Sequence, residues 1–430
     1  MKKLLILLLI SISWTAQAQQ LLTIDDAIAK ALKNNYNILV ARTSADIDKL
    51  NNTMGNAGML PNVSVNGSGA YQQNDVTLKT AVAGETHTPN VSTKNIGANV
   101  ELNWKLFDGG KMFVTKNKLN EIAALGELQF REQLMQTVYN IVAAYYDVVR
   151  QQQQLKAITE AINFNRERVK IAQLAFTSGA VAKTDLLQAK IDLNVFTENA
   201  VNQQAAILAA KRMLNVLLGE NREVDFAVSE EIPLNYQPDK AELYSKLLSV
   251  NPSLLAVGKQ KEIARLAVKE NERAYLPQLN FRTGYYLSNT DNSAGQTLLN
   301  KSYGPQIGGT LSIPLFTGGE TRRKVNVAQQ ELKSAEFTLE NTKIALHTEL
   351  QNALTEFDNQ KQLVVIEAEN ILLTKENLDI SLSRLRLGQT TSLEVHLAQE
   401  SFVQSATRLT NFKYNLKVAE AKLKQLLAEF

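Results

Sequence analysis

The chain has 430 residues, 44% of them hydrophobic and 21% charged, and 46 Lys and Arg against 43 Asp and Glu leave a formal charge of +3, too near balance to suggest a nucleic-acid partner. The absence of cysteine removes disulfides, thiol nucleophiles and thiolate zinc sites. Only three histidines are present (His87, His347 and His396), so no catalytic residue, metal or cofactor is expected.

At the N-terminus, Lys2 and Lys3 precede an apolar run from Leu4 to Ile10 that extends through Ile12 and Trp14 to Ala16-Gln17-Ala18. This pattern predicts a secretory signal peptide over residues 1–18. No apolar run long enough for a transmembrane helix follows it, but membrane strands, whose signal is weaker, stay open. Export of a cysteine-free chain fits a bacterial envelope.

The mature chain begins with a helix over about 23–59, stopped before Pro61. Val63, Val65, Gly67, Gly69 and Tyr71 then alternate with polar residues, as do Val100, Leu102, Trp104 and Leu106. That period of two predicts strands at about 62–72 and 96–107, separated by an Asn/Thr/Ser/Gly-rich exposed loop over about 72–95. Gly109-Gly110 marks a sharp strand-to-helix transition, and the period becomes helical beyond it. Leu134, Val138, Ile141, Tyr145, Val148, Gln152 and Leu155 form a heptad seam, and no proline occurs from Gly110 to Ser178. A helical hairpin is expected over about 110–218, its turn at Gly179.

Residues 220–239, with Pro233 and Pro238, read as a connector. The order then repeats: a helix over about 240–275, Pro277, strands at about 278–288 and 303–316 around a loop over about 288–302, and Gly318-Gly319. A second hairpin over about 320–428 follows, turning at Gly388. Its last helix carries a seam of Leu409, Phe412, Leu416, Ala419, Leu423 and Leu426. Three landmarks support duplication: Leu60-Pro61 with Leu276-Pro277, Leu106-Phe107-Asp108-Gly109-Gly110 with Leu315-Phe316-Thr317-Gly318-Gly319, and Ser178-Gly179 with Leu387-Gly388. The repeats are 19–219 and 240–430.

Four amphipathic strands cannot close a barrel alone, and an open edge in lipid leaves polar backbone groups unpaired, so oligomerisation is expected. Together these features resemble the outer membrane efflux family, the TolC-like channel-tunnels of Gram-negative bacteria, over almost the whole mature sequence. The Leu-Pro pairs, both Gly-Gly turns and the hairpin tips carry the likeness; in the tips Gly179 is followed by Asp185-Leu186 and Gly388 by Glu394-Val395. The resemblance implies a mainly α fold with a membrane β-barrel contribution. In it, long coiled hairpins and four strands per protomer build a homotrimer with a 12-stranded barrel in outer-membrane lipid and a periplasmic helical tunnel. It also implies passive export with a periplasmic adaptor and an inner-membrane transporter. Many relatives carry an N-terminal lipidated cysteine, and this chain does not.

Small-molecule efflux is the leading function, with type I protein secretion as the alternative and a non-conducting trimeric spacer or adhesin as a different class. A gate would sit near the hairpin tips, which makes Asp185, Asp379, Arg384, Arg386 and Glu394 candidates, because threefold symmetry turns one lumenal acid into a ring. Arg384 and Arg386, two residues apart, cannot share a helical face. Solvated coiled-helix faces would account for the same residues. Gly179 and Gly388 are expected in the turns and, from the resemblance, at the adaptor contact. Pro61, Pro277, Gly109, Gly110, Gly318 and Gly319 mark the starts and exits of the strand pairs. Tyr71, Trp104, Phe107, Tyr285, Tyr286 and Phe316 fit either an aromatic girdle or packing between layers.

Overall fold

The computed structural model describes residues 21–82, 84–220 and 225–430; the expected signal peptide and part of the connector lie outside them. In chain order the elements are β1 (Leu21–Leu22), α1 (Ile24–Asn34), α2 (Tyr36–Asn51), β2 (Asn62–Thr80), β3 (Gly84–Asp108), α3 (Lys111–Thr177) and α4 (Lys183–Leu217). The second half supplies β4 (Ala227–Val228), α5 (Leu243–Val250), α6 (Pro252–Glu272), β5 (Gln278–Asn292), β6 (Leu299–Ser312), α7 (Glu320–Arg386) and α8 (Ser392–Leu426).

Contacts divide the chain into two units, and each draws matching pieces from both sequence repeats. One contains the residues up to Thr43, Leu128–Leu255 and Thr342–Phe430; the other contains Ser44–Glu127 and Ala256–Asn341. The repeats mix because an amphipathic strand or coiled helix can bury its apolar side only against another element.

In the first unit the heptad seam is the core. Val138, Ile141, Tyr145 and Val148 of α3 are buried with Ala27 and Ala31 of α1, Leu214 of α4 and Ala421 of α8. Phe226, Val228 and Ile232 of the connector enter the same cluster. β1 pairs parallel with β4, and Tyr145 joins them: its hydroxyl donates to the Leu22 carbonyl at 2.9 Å and accepts from the Ser229 amide at 3.1 Å. α3 and α7 are each 67 residues long, and α4 and α8 each 35, matching the expected hairpins. Helices this long need continuous side-chain packing, which the seams provide.

The two shorter helical regions differ from the single helices expected. Each breaks at a buried asparagine, Asn35 and Asn251. The Asn35 amide donates to the Leu217 carbonyl at 2.7 Å, while its side-chain oxygen accepts from the Asn37 and Ile38 amides. Asn251 likewise donates to the Leu426 carbonyl at 3.0 Å and accepts from the Leu254 amide. Each therefore caps the helix that follows and satisfies a carbonyl at the end of a hairpin helix. Replacing Asn251 with Ala should cost about 1–2 kcal/mol, read from urea unfolding followed by helical circular dichroism.

The second unit contains an antiparallel sheet in the order β2-β3-β5-β6. Pro61 and Pro277 stand immediately before β2 and β5. The expected loops over 72–95 and 288–302 are largely strand instead: β2 and β3 continue to Thr80 and from Gly84, and β5 and β6 to Asn292 and from Leu299. Cross-strand polar contacts hold the first extension, including Thr77 with His87 at 3.0 Å and the Gln73 amide donating to Asn90 at 3.2 Å. With neither face buried there, alternation of hydrophobicity is lost while pairing persists. β6 also ends earlier than expected, at Ser312 rather than near 316, because β5 begins opposite it at Gln278 and has nothing further to pair with.

Candidate functional site

Register sorts the sheet residues onto two faces. Val65, Val100, Tyr285 and Pro305 occupy one cross-strand level, and Gly67, Ala98, Leu287 and Tyr303 another, on a face that continues through Leu102, Trp104 and Ile307. Its apolar stretch from Ile96 to Leu106 covers about 33 Å along β3, or roughly 25 Å after a barrel-like tilt, the height of a membrane barrel's apolar band. Lys94, Asp291 and Lys301 follow on the same face at the hairpin-turn end. No described helix is long and apolar enough to cross a membrane.

The opposite face is polar. Ser64, Glu101, Gly284 and Gln306 share one level, beside that of Asn62, Asn103, Arg282 and Gly308. The Tyr286 hydroxyl donates to Glu101 at 2.8 Å, and the Asn103 amide donates to its other oxygen at 2.5 Å. Tyr286 thus leaves the expected aromatic girdle, because its neighbour Tyr285 occupies the apolar face and successive strand residues point oppositely. Tyr71 and Trp104 share the apolar face with Tyr285, and the Trp104 indole donates to the Met59 carbonyl at 2.9 Å. Phe316 lies beyond β6.

Both hairpin tips have the same helix-ending geometry. Gly179 and Gly388 have φ of 77° and 69°. The Gly179 and Ala180 amides return to the Phe176 and Ala175 carbonyls, and the Gly388 and Gln389 amides to those of Leu385 and Arg384. This paired arrangement closes the last turn of a helix and favours glycine at the left-handed position.

Of the five charged candidates, the fold brings together Arg384 and Glu394. The Arg384 guanidinium donates to Glu394 at 2.9 Å and to the Gln389 carbonyl at 3.2 Å. Thr390 donates to the other Glu394 oxygen, and the Thr391 hydroxyl caps α8 by accepting from the Glu394 amide at 3.3 Å. These contacts brace one turn, and both charged side chains are about half exposed. Asp379 and Arg386 are exposed on α7, and Asp185 is half-buried in the first turn of α4, away from that pair in the chain.

Sequence reasoning missed a buried polar cluster joining the hairpins. Arg168 of α3 donates to Asp192 of α4 at 2.7 Å and to Ser392 of α8 at 2.9 Å; Gln188 donates to the other Asp192 oxygen at 2.8 Å. The Arg168 and Asp192 side chains are only 2% and 7% exposed. His396 places Nδ1 3.3 Å from Asp192 and Nε2 3.5 Å from Glu400, near both carboxylates but without hydrogen-bond alignment at Nδ1. The participants come from three helices, so no local spacing announces them.

A second interhelical carboxylate, Glu367 of α7, accepts from Ser405 at 2.5 Å and Arg408 at 2.9 Å. Burial opposes its charge, but hydrogen bonds from Arg408 and Ser405 outweigh burial and hold the carboxyl below its ordinary 4.5. Folding therefore favours the ionised form: its stabilisation is complete above the unfolded value near 4.5 and fades as pH falls toward and through the lower folded value. Glu367→Gln should weaken the hairpin at pH 7 and flatten this acid-side loss, measured by urea midpoints at pH 7 and pH 4.

A sheet with one membrane-height apolar face and one polar face, in a chain that also carries two long coiled hairpins, has the features of an envelope channel. The chain belongs to the outer membrane efflux protein family, whose profile matches residues 27–220 and 243–429. It is 25% identical over 415 residues to the outer membrane efflux protein BepC of Brucella suis, covering 95% of this chain and 86% of that protein. It is 23% identical over 434 residues to the alkaline protease secretion protein AprF of Pseudomonas aeruginosa, covering 96% and 87%. In fold it resembles the Campylobacter jejuni CmeC outer membrane channel, with a TM-score of 0.78 at 19% identity over 94% of this chain and 85% of that one. Family membership places the chain in the outer membrane of a Gram-negative bacterium and assigns it to export across that membrane.

Proposed function

We propose that three copies of this chain form the outer-membrane conduit of a tripartite system, passively passing drugs or metabolites supplied by an inner-membrane transporter through a periplasmic adaptor. The observation that carries this reading is the amphipathic four-stranded sheet with unpaired outer strands β2 and β6, in a chain of the efflux family. Three such sheets supply about twelve strands, within the range of membrane barrels, and remove every edge. Type I protein secretion is the second reading, favoured by the near full-length similarity to a protein named for alkaline protease secretion.

In this reading the turns at Gly179 and Gly388 meet the adaptor, and Asp185, Asp379, Arg384, Arg386 and Glu394 form the gate region. The half-exposed Arg384–Glu394 pair bears little on stability: Arg384→Ala should shift unfolding by less than about 1 kcal/mol. If the brace restrains the tip, the same substitution raises conductance in planar bilayers; unchanged conductance removes the pair from the gate.

The deciding experiment is native mass, corrected for detergent, after extraction from the outer membrane, followed by bilayer conductance. Three chains and a conducting pore support the proposal. A soluble monomer independent of detergent defeats it, and a trimer that never conducts favours the spacer.

A further inference from the structure

The polar face of the sheet is built from short side chains and glycine, with one exception. Across the levels from Asn62 to Gln72, Tyr286 is the only aromatic residue on that face among the described residues, level with Asn66, Asn99 and Gly304. Side chains of a strand stand roughly perpendicular to the sheet, so an upright tyrosine here would carry its ring away from the wall.

Tyr286 lies down instead. Its hydroxyl donates to Glu101 Oε2 at 2.8 Å, yet Glu101 stands opposite Gly284, two residues along β5 from Tyr286. A diagonal neighbour of this kind is about 7–8 Å away, within reach of an aromatic side chain that leans along the sheet. Gly284 supplies the room: a Cβ added there would lie 3.1 Å from Cε2 of the Tyr286 ring. On the other side of β5, a Cβ added at Gly304 would meet no atom of the described residues within 4 Å, so the ring leans toward β3 and leaves β6 uncovered. Glu101 is itself held in place. Its Oε1 accepts from the Asn103 amide at 2.5 Å, and its Oε2 accepts from the Asn99 amide at 3.3 Å. Tyr286 is accordingly half-buried, whereas Arg282 on the same face is exposed.

We infer that Glu101 is a positioning residue that holds Tyr286 flat against the wall of the conduit, and that this pair sets how bulky a solute the strand-built part can pass. A hydrogen bond to an ionised acceptor is roughly twice as strong as one between neutral groups, which suits an acid to the task. Without Glu101 the ring has open space toward Gly304 and away from the sheet, and each copy of the chain turns one ring inward. Bulky solutes are then excluded while small ones still pass.

This inference rests on the channel reading, which turns the polar face toward the lumen, and its test separates the two. The cysteine-free chain accepts Thr310→Cys as a reporter; Thr310 is exposed, on the polar face, and lies beyond Glu101 from the hairpin-turn end. Two thiol reagents, one small and one carrying a polyethylene glycol chain, are added outside whole cells and their labelling rates compared. Glu101→Ala should slow the bulky reagent several-fold and leave the small one unchanged, and adding Tyr286→Ala to it should restore the bulky rate. That rescue is not expected if Glu101 only stabilises the sheet or attracts cations. Tyr286→Phe, which keeps the ring and loses the hydroxyl, should also slow the bulky reagent and keeps the test readable if Glu101→Ala fails to assemble. A bulky-reagent rate unchanged in both single variants overturns the proposal, as does a slowing that the double variant does not reverse. A reporter cysteine that neither reagent reaches in intact cells, but both reach after detergent extraction, overturns the channel reading as well.

Discussion

Arg168→Met should destabilise the paired hairpins by about 3–5 kcal/mol, because it strands the buried Asp192 carboxylate without its guanidinium. Asp192 is 7% exposed, so water replaces little of the lost interaction. The Ser392 hydroxyl also loses a donor that links the second hairpin to the first. The double variant Arg168→Met with Asp192→Leu should recover most of the loss, because apolar residues of similar volume often replace a buried ion pair without penalty. Urea unfolding followed by helical circular dichroism measures the difference. Proteolysis near residues 178–182 should accelerate in the single variant and return toward normal in the double. A single variant as stable as the parent would show that Asp192 finds other partners or water.

Gly109→Ala should cost about 2–5 kcal/mol, combining two separate penalties. Its φ of 73° lies where a Cβ is disfavoured by about 1–2 kcal/mol. The new methyl also enters space occupied by Leu276 and the Arg273 carbonyl, and overpacking of this kind costs about 1–3 kcal/mol. Gly318→Ala has a similar backbone cost, with φ of 63°, but its methyl meets no atom of the described residues within 4 Å. Gly109→Ala should therefore be the more damaging of the two, by about the 1–3 kcal/mol of the overpacking penalty. Trp104, which together with Trp14 of the expected signal peptide makes up the tryptophan content, reports sheet formation by fluorescence. Equal effects of the two substitutions on unfolding would remove the crowding argument.

Much of the fold is legible in the chain because periodicity is a local consequence of burial. Val100, Leu102, Trp104 and Leu106 reveal a strand by alternation, while Val138, Ile141, Tyr145 and Val148 reveal a coiled helix by heptad spacing. The Gly-Gly pairs and the tip glycines Gly179 and Gly388 show duplication because both copies must turn the backbone at equivalent points. The outer hairpin was obscured for the same physical reason: Thr77 pairs with His87 and the Gln73 amide bonds Asn90 while both faces stay wet, so Val76 and Leu78 alone carry too short an alternation to mark a strand. The tip pair was only partly legible. Arg384 and Glu394 could be placed near one turn, but their ion pair depends on the geometry of that turn.

By itself, the sequence determined the long helices and the lipid-height parts of the four long strands, their order, the two hairpin turns and the repeat offsets, since each follows from neighbours along the chain. Tertiary structure decided which strands meet and that the Tyr286 hydroxyl reaches Glu101 of the neighbouring strand. It also decided that Asn35 and Asn251 clasp the ends of hairpin helices, and that Arg168, Asp192 and Ser392 converge. Those facts depend on distances between residues far apart in sequence, which packing sets and local periodicity does not encode.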